Sequence, residues 1–188
     1  MATRRSILLG GFGLGLSSLG ARAAAVLGDD GIYHQPWFLE SFLELADDAE
    51  AAAAKGKRFA IMWELRGCPY CRDTHLINFA KPEIESFVKE RFDILQLNLL
   101  GSREVLDFDG EKLAEKKLAQ KYGVRFTPTL QFFDENPREL GGRAPQARES
   151  ARSVGYLAPK DFLALFRYVT ERAYRKGTLQ EYIRSGAS

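Results

Sequence analysis

Apolar residues recur at helical spacing over residues 36–55, where Phe38, Phe42, Leu45, Ala49 and Ala52 share one side and acidic residues fill the other. Pro36 suits a first helical position and Gly56 a C-terminal stop, so the pattern predicts an N-terminal helix over 36–55. The period then changes. Residues 58–65 (Arg-Phe-Ala-Ile-Met-Trp-Glu-Leu) form a short, mostly apolar run, as expected of a buried strand. Pro69 can start a helix running to about Ala80, and Pro82 a second, short one with Ile84, Phe87 and Val88 inward. Residues 92–99 predict another strand, with Ile94, Leu95, Leu97 and Leu99 apolar. A polar connection over 101–110 leads to a charged helix over 111–122, closed by Gly123 at the place of a C-terminal cap.

Short strands alternating with helices argue for an α/β unit with a right-handed parallel crossover. Beyond Gly123 the pattern differs. Thr127-Pro128-Thr129 precedes a third strand at 130–133, a polar connection covers 134–150, and a fourth strand is expected at 151–156. With no helix between them, the last two strands predict an antiparallel hairpin. Phe162, Phe166, Val169 and Ala173 mark one face of a final helix over 159–175, and residues 178–184 extend it. The expected fold class is α/β: a central mixed four-stranded sheet, two parallel strands then an antiparallel hairpin, flanked by helices.

Composition adds bounds. The chain has 188 residues, 45% hydrophobic, which suits one domain. A net charge of +2 argues for neither a nucleic-acid partner nor a membrane surface. Arg4-Arg5 stands directly before an apolar run ending near Leu19, and Ala21-Arg22-Ala23 or Ala23-Ala24-Ala25 offers a small-residue cleavage site. This predicts a twin-arginine-type export signal over 1–25 and a domain over 26–188, placed in the periplasm once the signal is removed. An ordinary secretory signal that carries two arginines is the other reading.

The chemistry concentrates at Gly67-Cys68-Pro69-Tyr70-Cys71, which holds the only two cysteines of the chain. In an oxidising compartment two cysteines usually form a structural disulfide. A loop this short constrains the unfolded chain little, so the spacing suits redox exchange better than stapling. At a helix N-terminus, unpaired N–H groups and the helix dipole stabilise a thiolate, which makes Cys68 the nucleophile. Cys71, one turn further in, becomes the resolving thiol. The redox couple needs no cofactor.

The motif after a strand, Thr127-Pro128 before a later strand, and Gly155-Tyr156 before a final helix together resemble the thioredoxin superfamily, over about residues 58–172. Cys68-Pro69-Tyr70-Cys71-Arg72, Asn78-Phe79-Ala80, Pro82-Glu83-Ile84, Gln96-Leu97-Asn98-Leu99 and Val124-Arg125-Phe126-Thr127-Pro128-Thr129 look most like the periplasmic thioredoxins of bacterial sulfur-oxidation gene clusters. The resemblance implies a cis-proline at Pro128 opposite the cysteines and pairing of the Thr127 backbone with the substrate chain. It also implies a protein disulfide substrate, a sulfur-carrier protein among the partners, and a membrane thiol-electron transporter as donor. Two departures stand out. Met62 occupies the place where thioredoxins resemble one another in a buried aspartate. The nearest acid, Glu64, shares its strand face and is a candidate proton acceptor for Cys71; the alternative is a strand-end glutamate in water. Tyr70 resembles glutaredoxins instead.

If the first two strands are parallel, their C-terminal ends share an edge, so residues 99–110 and Gly155-Tyr156 are expected to flank the cysteines. Arg103, Glu104, Asp107 and Asp109 would then let the 99–110 loop contribute to partner recognition. Rival chemistries are weaker. Zinc would take four ligands; Cys68, Cys71 and His75 lack a second paired cluster, and His34 is the only other histidine. Arg72 stands where haem attachment needs a histidine, and His75 reads as a packing or surface residue. Asp107-Phe108-Asp109-Gly110 is too short for a helix–loop–helix calcium site. Three functions remain: a periplasmic protein-disulfide reductase, a disulfide-forming oxidase, isomerase or glutaredoxin-like enzyme, and a non-enzymatic docking module on the same fold.

Overall fold

The computed structural model describes residues 24–133 and 135–186, so the expected signal at 1–25 lies almost wholly outside the described residues. A two-stranded ribbon comes first: β1 (Val26–Leu27) pairs antiparallel with β2 (Tyr33–His34). Helix α1 (Leu45–Ala54) leads to β3 (Arg58–Glu64), which runs into the cysteine motif. Helix α2 (Pro69–Asp73) continues as a π-helical turn over Thr74–Asn78 and is followed by α3 (Pro82–Arg91) and β4 (Phe92–Asn98). A second ribbon, β5 (Glu104–Leu106) with β6 (Lys112–Ala114), precedes α4 (Glu115–Lys121). The chain closes with β7 (Thr129–Phe133), the short α5 (Pro137–Leu140), β8 (Glu149–Val154), α6 (Pro159–Thr170) and α7 (Leu179–Arg184).

The main sheet has the order β4-β3-β7-β8, with β3 and β4 parallel and β7 antiparallel to both β3 and β8. This is the mixed four-stranded sheet the sequence predicts. Strand periodicity divides the core in two. Phe59, Ile61, Trp63, Leu95, Leu97 and Phe133 face α1 and α4. Ala60, Met62, Phe92, Ile94, Leu130 and Phe132 face α3 and α6. Glu64 follows Met62 by two residues and so points to this second face, under the helix that carries the cysteines.

The N-terminal helix is shorter than expected. It starts at Leu45, not at residue 36, and Phe42 is 98% exposed. Leu43 takes a left-handed φ of 66°, and Ser41 Oγ accepts from Leu43 N at 2.7 Å and donates to Asp48 Oδ2 at 2.5 Å, which breaks any helix before Leu45. The apolar residues ahead of the break serve tertiary contacts instead. Leu39 N donates to Ile94 O of the edge strand at 2.9 Å, and the rings of Trp37 and Phe38 pack on Phe79. At the other end α6 stops at Thr170, and Arg172, in a left-handed conformation, turns the chain toward α7 and its Thr178–Glu181 capping box.

The 99–110 connection packs on the α1 side of the sheet. It forms β5, whose Leu106 N donates to Leu43 O, and Arg103 is held by the buried Glu115 carboxylate at 2.6 Å. None of its residues lines the cleft at the cysteines, because the N-terminal ribbon occupies that side of the β4 edge, with Gln96 Nε2 donating to Tyr33 O at 2.7 Å. The connection after β7 is also more ordered than its polarity suggests: residues 137–148 hold α5 and a 3-10 turn, and Arg148 is buried.

Candidate active site

Strand β3 delivers the chain to a tight turn. Cys68 N donates to Leu65 O at 3.1 Å, and Gly67 between them has a φ of +73°, a conformation a side chain would oppose. Cys68 is the N-cap of α2 and Pro69 its first residue, where a missing N–H costs nothing. Cys68 and Cys71 form a disulfide with a Cα–Cα separation of 5.3 Å. The two sulfurs differ in surroundings: Cys68 is half-buried, whereas Cys71 is only 3% exposed.

Cys68 Sγ accepts from two donors, Cys71 N at 3.1 Å and Thr127 Oγ1 at 3.4 Å. The second comes from the loop before β7, where the Thr127–Pro128 peptide bond is cis. Pro128 is buried, and its carbonyl accepts from Gly155 N at 2.8 Å, which ties the loop to the end of β8. Tyr70, inside the motif, stacks on Tyr156 with centroids 6.1 Å apart, and Tyr156 reaches Asn78 at 3.3 Å. So Gly155-Tyr156 does flank the cysteines. Tyr70 and Phe126 are both more than half exposed and give the rim an apolar character.

A cleft of about 350 Å³ opens beside the disulfide, lined by both cysteines, Glu64, Arg66, Arg72 and, from the ribbon, Leu27, Ile32 and Tyr33. The ribbon is fastened to the redox turn by Arg66, whose Nε and Nη2 donate to Asp30 O at 2.7 Å and Asp29 O at 3.3 Å. Gly31 permits that approach: a Cβ there would meet Arg66 Cγ at 2.8 Å. A larger cavity of about 800 Å³, between residues 30–43 and the turn at 98–103, holds neither cysteine.

Glu64 is fully buried, which removes the reading of a strand-end glutamate in water. Its Oε1 lies 2.6 Å from His75 Nε2, also fully buried, while Glu64 Oε2 and His75 Nδ1 have no hydrogen-bond partner. Met62 is core, with no acid in its place. His75, expected as a packing or surface residue, is buried among the rings of Tyr33, Phe38 and Phe79, and its bond to Glu64 is the part the sequence does not show. The available signal was spacing: Cys71 and His75 are four apart, on one helix face, and Cys71 faces inward. His75 lies within the π-helical turn, whose i→i+5 bond is Phe79 N to Thr74 O at 3.0 Å; such turns are frequent at functional sites. Among the described residues no cluster of three or more His, Cys, Asp or Glu side chains could hold a metal ion, and no helix is long and apolar enough to cross a membrane.

Comparison with known proteins bears on the same stretch. No curated protein sequence matches the chain. Among solved structures, a thioredoxin-fold protein from Helicobacter pylori is similar at 22% identity and a TM-score of 0.53, covering 71% of this chain and 87% of that one. A thioredoxin from Thermus thermophilus follows at 23% identity and a TM-score of 0.48, covering 66% and 82%. The oxidised C-terminal domain of DsbD from Neisseria meningitidis gives 16% and 0.44, covering 65% and 89%. A thioredoxin-like fold with a disulfide-forming Cys-x-x-Cys pair fits a thiol–disulfide oxidoreductase. A family model described as a thioredoxin-like domain matches residues 45–170, from the start of α1 to the end of α6, and the chain therefore belongs to the thioredoxin-like domain family.

Proposed function

We propose that this protein reduces disulfides of a partner protein in the periplasm, with a sulfur carrier of sulfur oxidation as that partner and a membrane thiol-electron transporter as the source of electrons. The observation that carries the redox reading is the asymmetry of the pair: a half-buried Cys68 with two donors on its sulfur, bonded to a fully buried Cys71. The paired arginines before the apolar run at 6–19 support export. The likeness of the residues around the motif to sulfur-oxidation thioredoxins supports the choice of partner.

In the reduced protein the Cys68 thiolate attacks one sulfur of the substrate disulfide. A mixed disulfide forms, and the other substrate sulfur leaves as a thiolate that takes a proton from water. Cys71, after losing its proton, attacks Cys68 Sγ. The Cys68–Cys71 disulfide forms and the second substrate thiolate departs and is protonated. Two electrons pass from the protein dithiol to the substrate. The donors on Cys68 Sγ favour its thiolate. Thr127, next to the cis bond and against Cys68, presents its backbone to the substrate chain, and the aromatic rim of Tyr70 and Phe126 offers contact area around it.

Two experiments test this. Cys68→Ser should abolish reduction of insulin disulfides; retained activity would overturn the assignment of the nucleophile. Cys71→Ser expressed in the native periplasm should accumulate a mixed disulfide with a sulfur-carrier protein. Recovery of ordinary secreted proteins alone would end the sulfur-oxidation reading and point to disulfide formation, which a reduction potential near those of oxidising catalysts would corroborate.

A further inference from the structure

We propose that the cleft on the ribbon side of the disulfide is a substrate subsite for an acidic side chain, with the Arg66 guanidinium and the Tyr33 hydroxyl as its carboxylate donors. This rests on the oxidoreductase reading above and adds the class of sequence accepted around the target disulfide. The cleft and the Thr127 loop are separate walls that meet at Cys68. Cys68 lines the cleft and accepts from Thr127, whereas residues 126–128 and 155–156 do not line it. A substrate chain lying on Thr127 with its sulfur at Cys68 therefore meets the cleft with the residues on one side of its cysteine. The volume of about 350 Å³, at the small end for ligand pockets, suits a side chain or two and not a bulky cofactor.

Charge decides what enters. The charged side chains of the lining are Arg66, Arg72 and Glu64. Glu64 is fully buried and bonded to His75, and Arg72 is paired with Asp73 through Nε at 3.0 Å and Nη2 at 2.8 Å. Arg66 differs. Its Nε and Nη2 each give one bond to a backbone carbonyl, and among the described residues no carboxylate pairs with it. Asp30, whose carbonyl it holds, turns its own carboxylate to His34 and to Ile32 N. The remaining guanidinium N–H groups, both on Nη1 among them, are left for a ligand. The carbonyl bonds and the close approach of Gly31 fix the guanidinium beforehand, so it has little freedom to lose on binding. The Tyr33 hydroxyl also makes no hydrogen bond, while its ring stacks on His75 and its carbonyl accepts from Gln96. Leu27 and Ile32 supply an aliphatic wall for the methylenes of an acidic side chain. A carboxylate matches the arginine fork, and a lysine or arginine in its place would meet an unpaired like charge.

Disulfide-linked peptides that differ only by Glu or Gln, placed in turn at the positions before and after the cysteine, test the subsite. For the wild-type protein at low salt kcat/KM should favour Glu by about tenfold, on one side of the cysteine only. The preference should sit in KM, because a carboxylate held away from the sulfurs is bound alike before and during exchange. It should shrink at high salt. Arg66→Gln should bring the Glu-to-Gln ratio close to one, and Tyr33→Phe should lower it by about twofold to threefold. A ratio unaltered in Arg66→Gln would overturn the proposal, as would a preference equal on both sides of the cysteine, which marks attraction by overall charge. Should Arg66→Gln not fold once the ribbon loses its fastening, Tyr33→Phe carries the test, and an unaltered ratio there overturns the subsite. A wild-type protein inert toward every peptide defeats the oxidoreductase reading, whereas one that reduces Glu and Gln peptides equally defeats only the subsite.

Discussion

Two buried polar clusters sit on opposite faces of the sheet, and they are built to different standards. On the α1 side Asp107 Oδ1 accepts from Phe108 N and the Tyr122 hydroxyl, each at 2.8 Å. Its Oδ2 meets Arg148 at 2.8 Å and Lys121 at 2.6 Å. Arg148 continues to Asp109, to the Tyr122 oxygen and to the Arg143 carbonyl. On the other face, Glu64 and His75 share one hydrogen bond and leave two polar atoms unmet. Among the described residues one further buried side-chain atom lacks a partner, Trp37 Nε1, and its ring packs on Phe79 beside His75. An unsatisfied buried polar atom costs about 1–3 kcal/mol. The molecule avoids that cost around Asp107 and tolerates it beside the cysteines. A saturated cluster fixes a loop in place, whereas the unsaturated one lies beside the redox turn.

The comparison breaks most visibly at Arg148. Its replacement by Met leaves Asp107 buried with half its charge partners, and losing one member of such a network costs about 3–5 kcal/mol. Urea denaturation of Arg148→Met should show that loss, with the turnover of the remaining folded protein unaltered. A fall in activity per folded molecule, or stability within error of wild type, would show that the two clusters are not specialised in this way. Burial works to raise the Asp109 pKa, but the bonds from Arg148 and Lys121 outweigh it and hold the carboxyl well below its ordinary range, in keeping with a cluster that stays charged.

The unsaturated pair should respond in the opposite sense. Exchanging a buried, incompletely bonded polar pair for apolar residues of similar volume is neutral or stabilising by about 1–4 kcal/mol. Glu64→Met combined with His75→Leu should therefore keep or raise the unfolding midpoint in urea denaturation. A double variant that is strongly destabilised would make the pair a structural element after all. Active sites commonly trade stability for chemistry in this way.

Why one cluster could be anticipated only in part is instructive. The strands, the parallel crossover and the hairpin follow from apolar runs and their punctuation, and Cys68, Cys71, Thr127 and Pro128 stand out by type and spacing. His75 does not. A lone histidine one turn after a cysteine has the same local signature whether it packs or works, and only the sheet register brings Glu64 beneath it. Phe38 misleads for a related reason: its spacing matches a helix, yet its ring is spent, with that of Trp37, on the wall around His75 and Phe79. Arg148 lies in a stretch whose polarity suggests a solvated loop, and arginine is seldom fully buried unless paired. The ribbon at 26–34 carries no chemical motif, so its place as one wall of the cysteine cleft emerges only from the fold.

A third carboxylate cluster, at the surface, sets the low end of the scale. Glu135 Oε1 accepts from Arg58 and Arg172, each at 2.7 Å, and from the Tyr174 hydroxyl at 3.0 Å. Burial works to raise its pKa, but those partners, Arg172 and Arg58 above all, bring it down to about 2 from an ordinary 4.5. A carboxyl depressed by folding contributes stability above its unfolded pKa and loses that contribution as pH falls through its folded one. The side chain is 24% exposed, so solvent screening reduces the effect. Glu135→Gln should be less stable than wild type by about 1 kcal/mol at neutral pH, the upper end for exposed pairs. The gap should narrow from pH 4.5 downward and close near pH 2, the window that the folded and unfolded values bracket. A gap that stays constant with pH would mean that Glu135 acts through packing and not through its charge. In that case the surface cluster would differ in kind from the saturated network around Asp107, and the contrast with Glu64 would have to rest on burial alone.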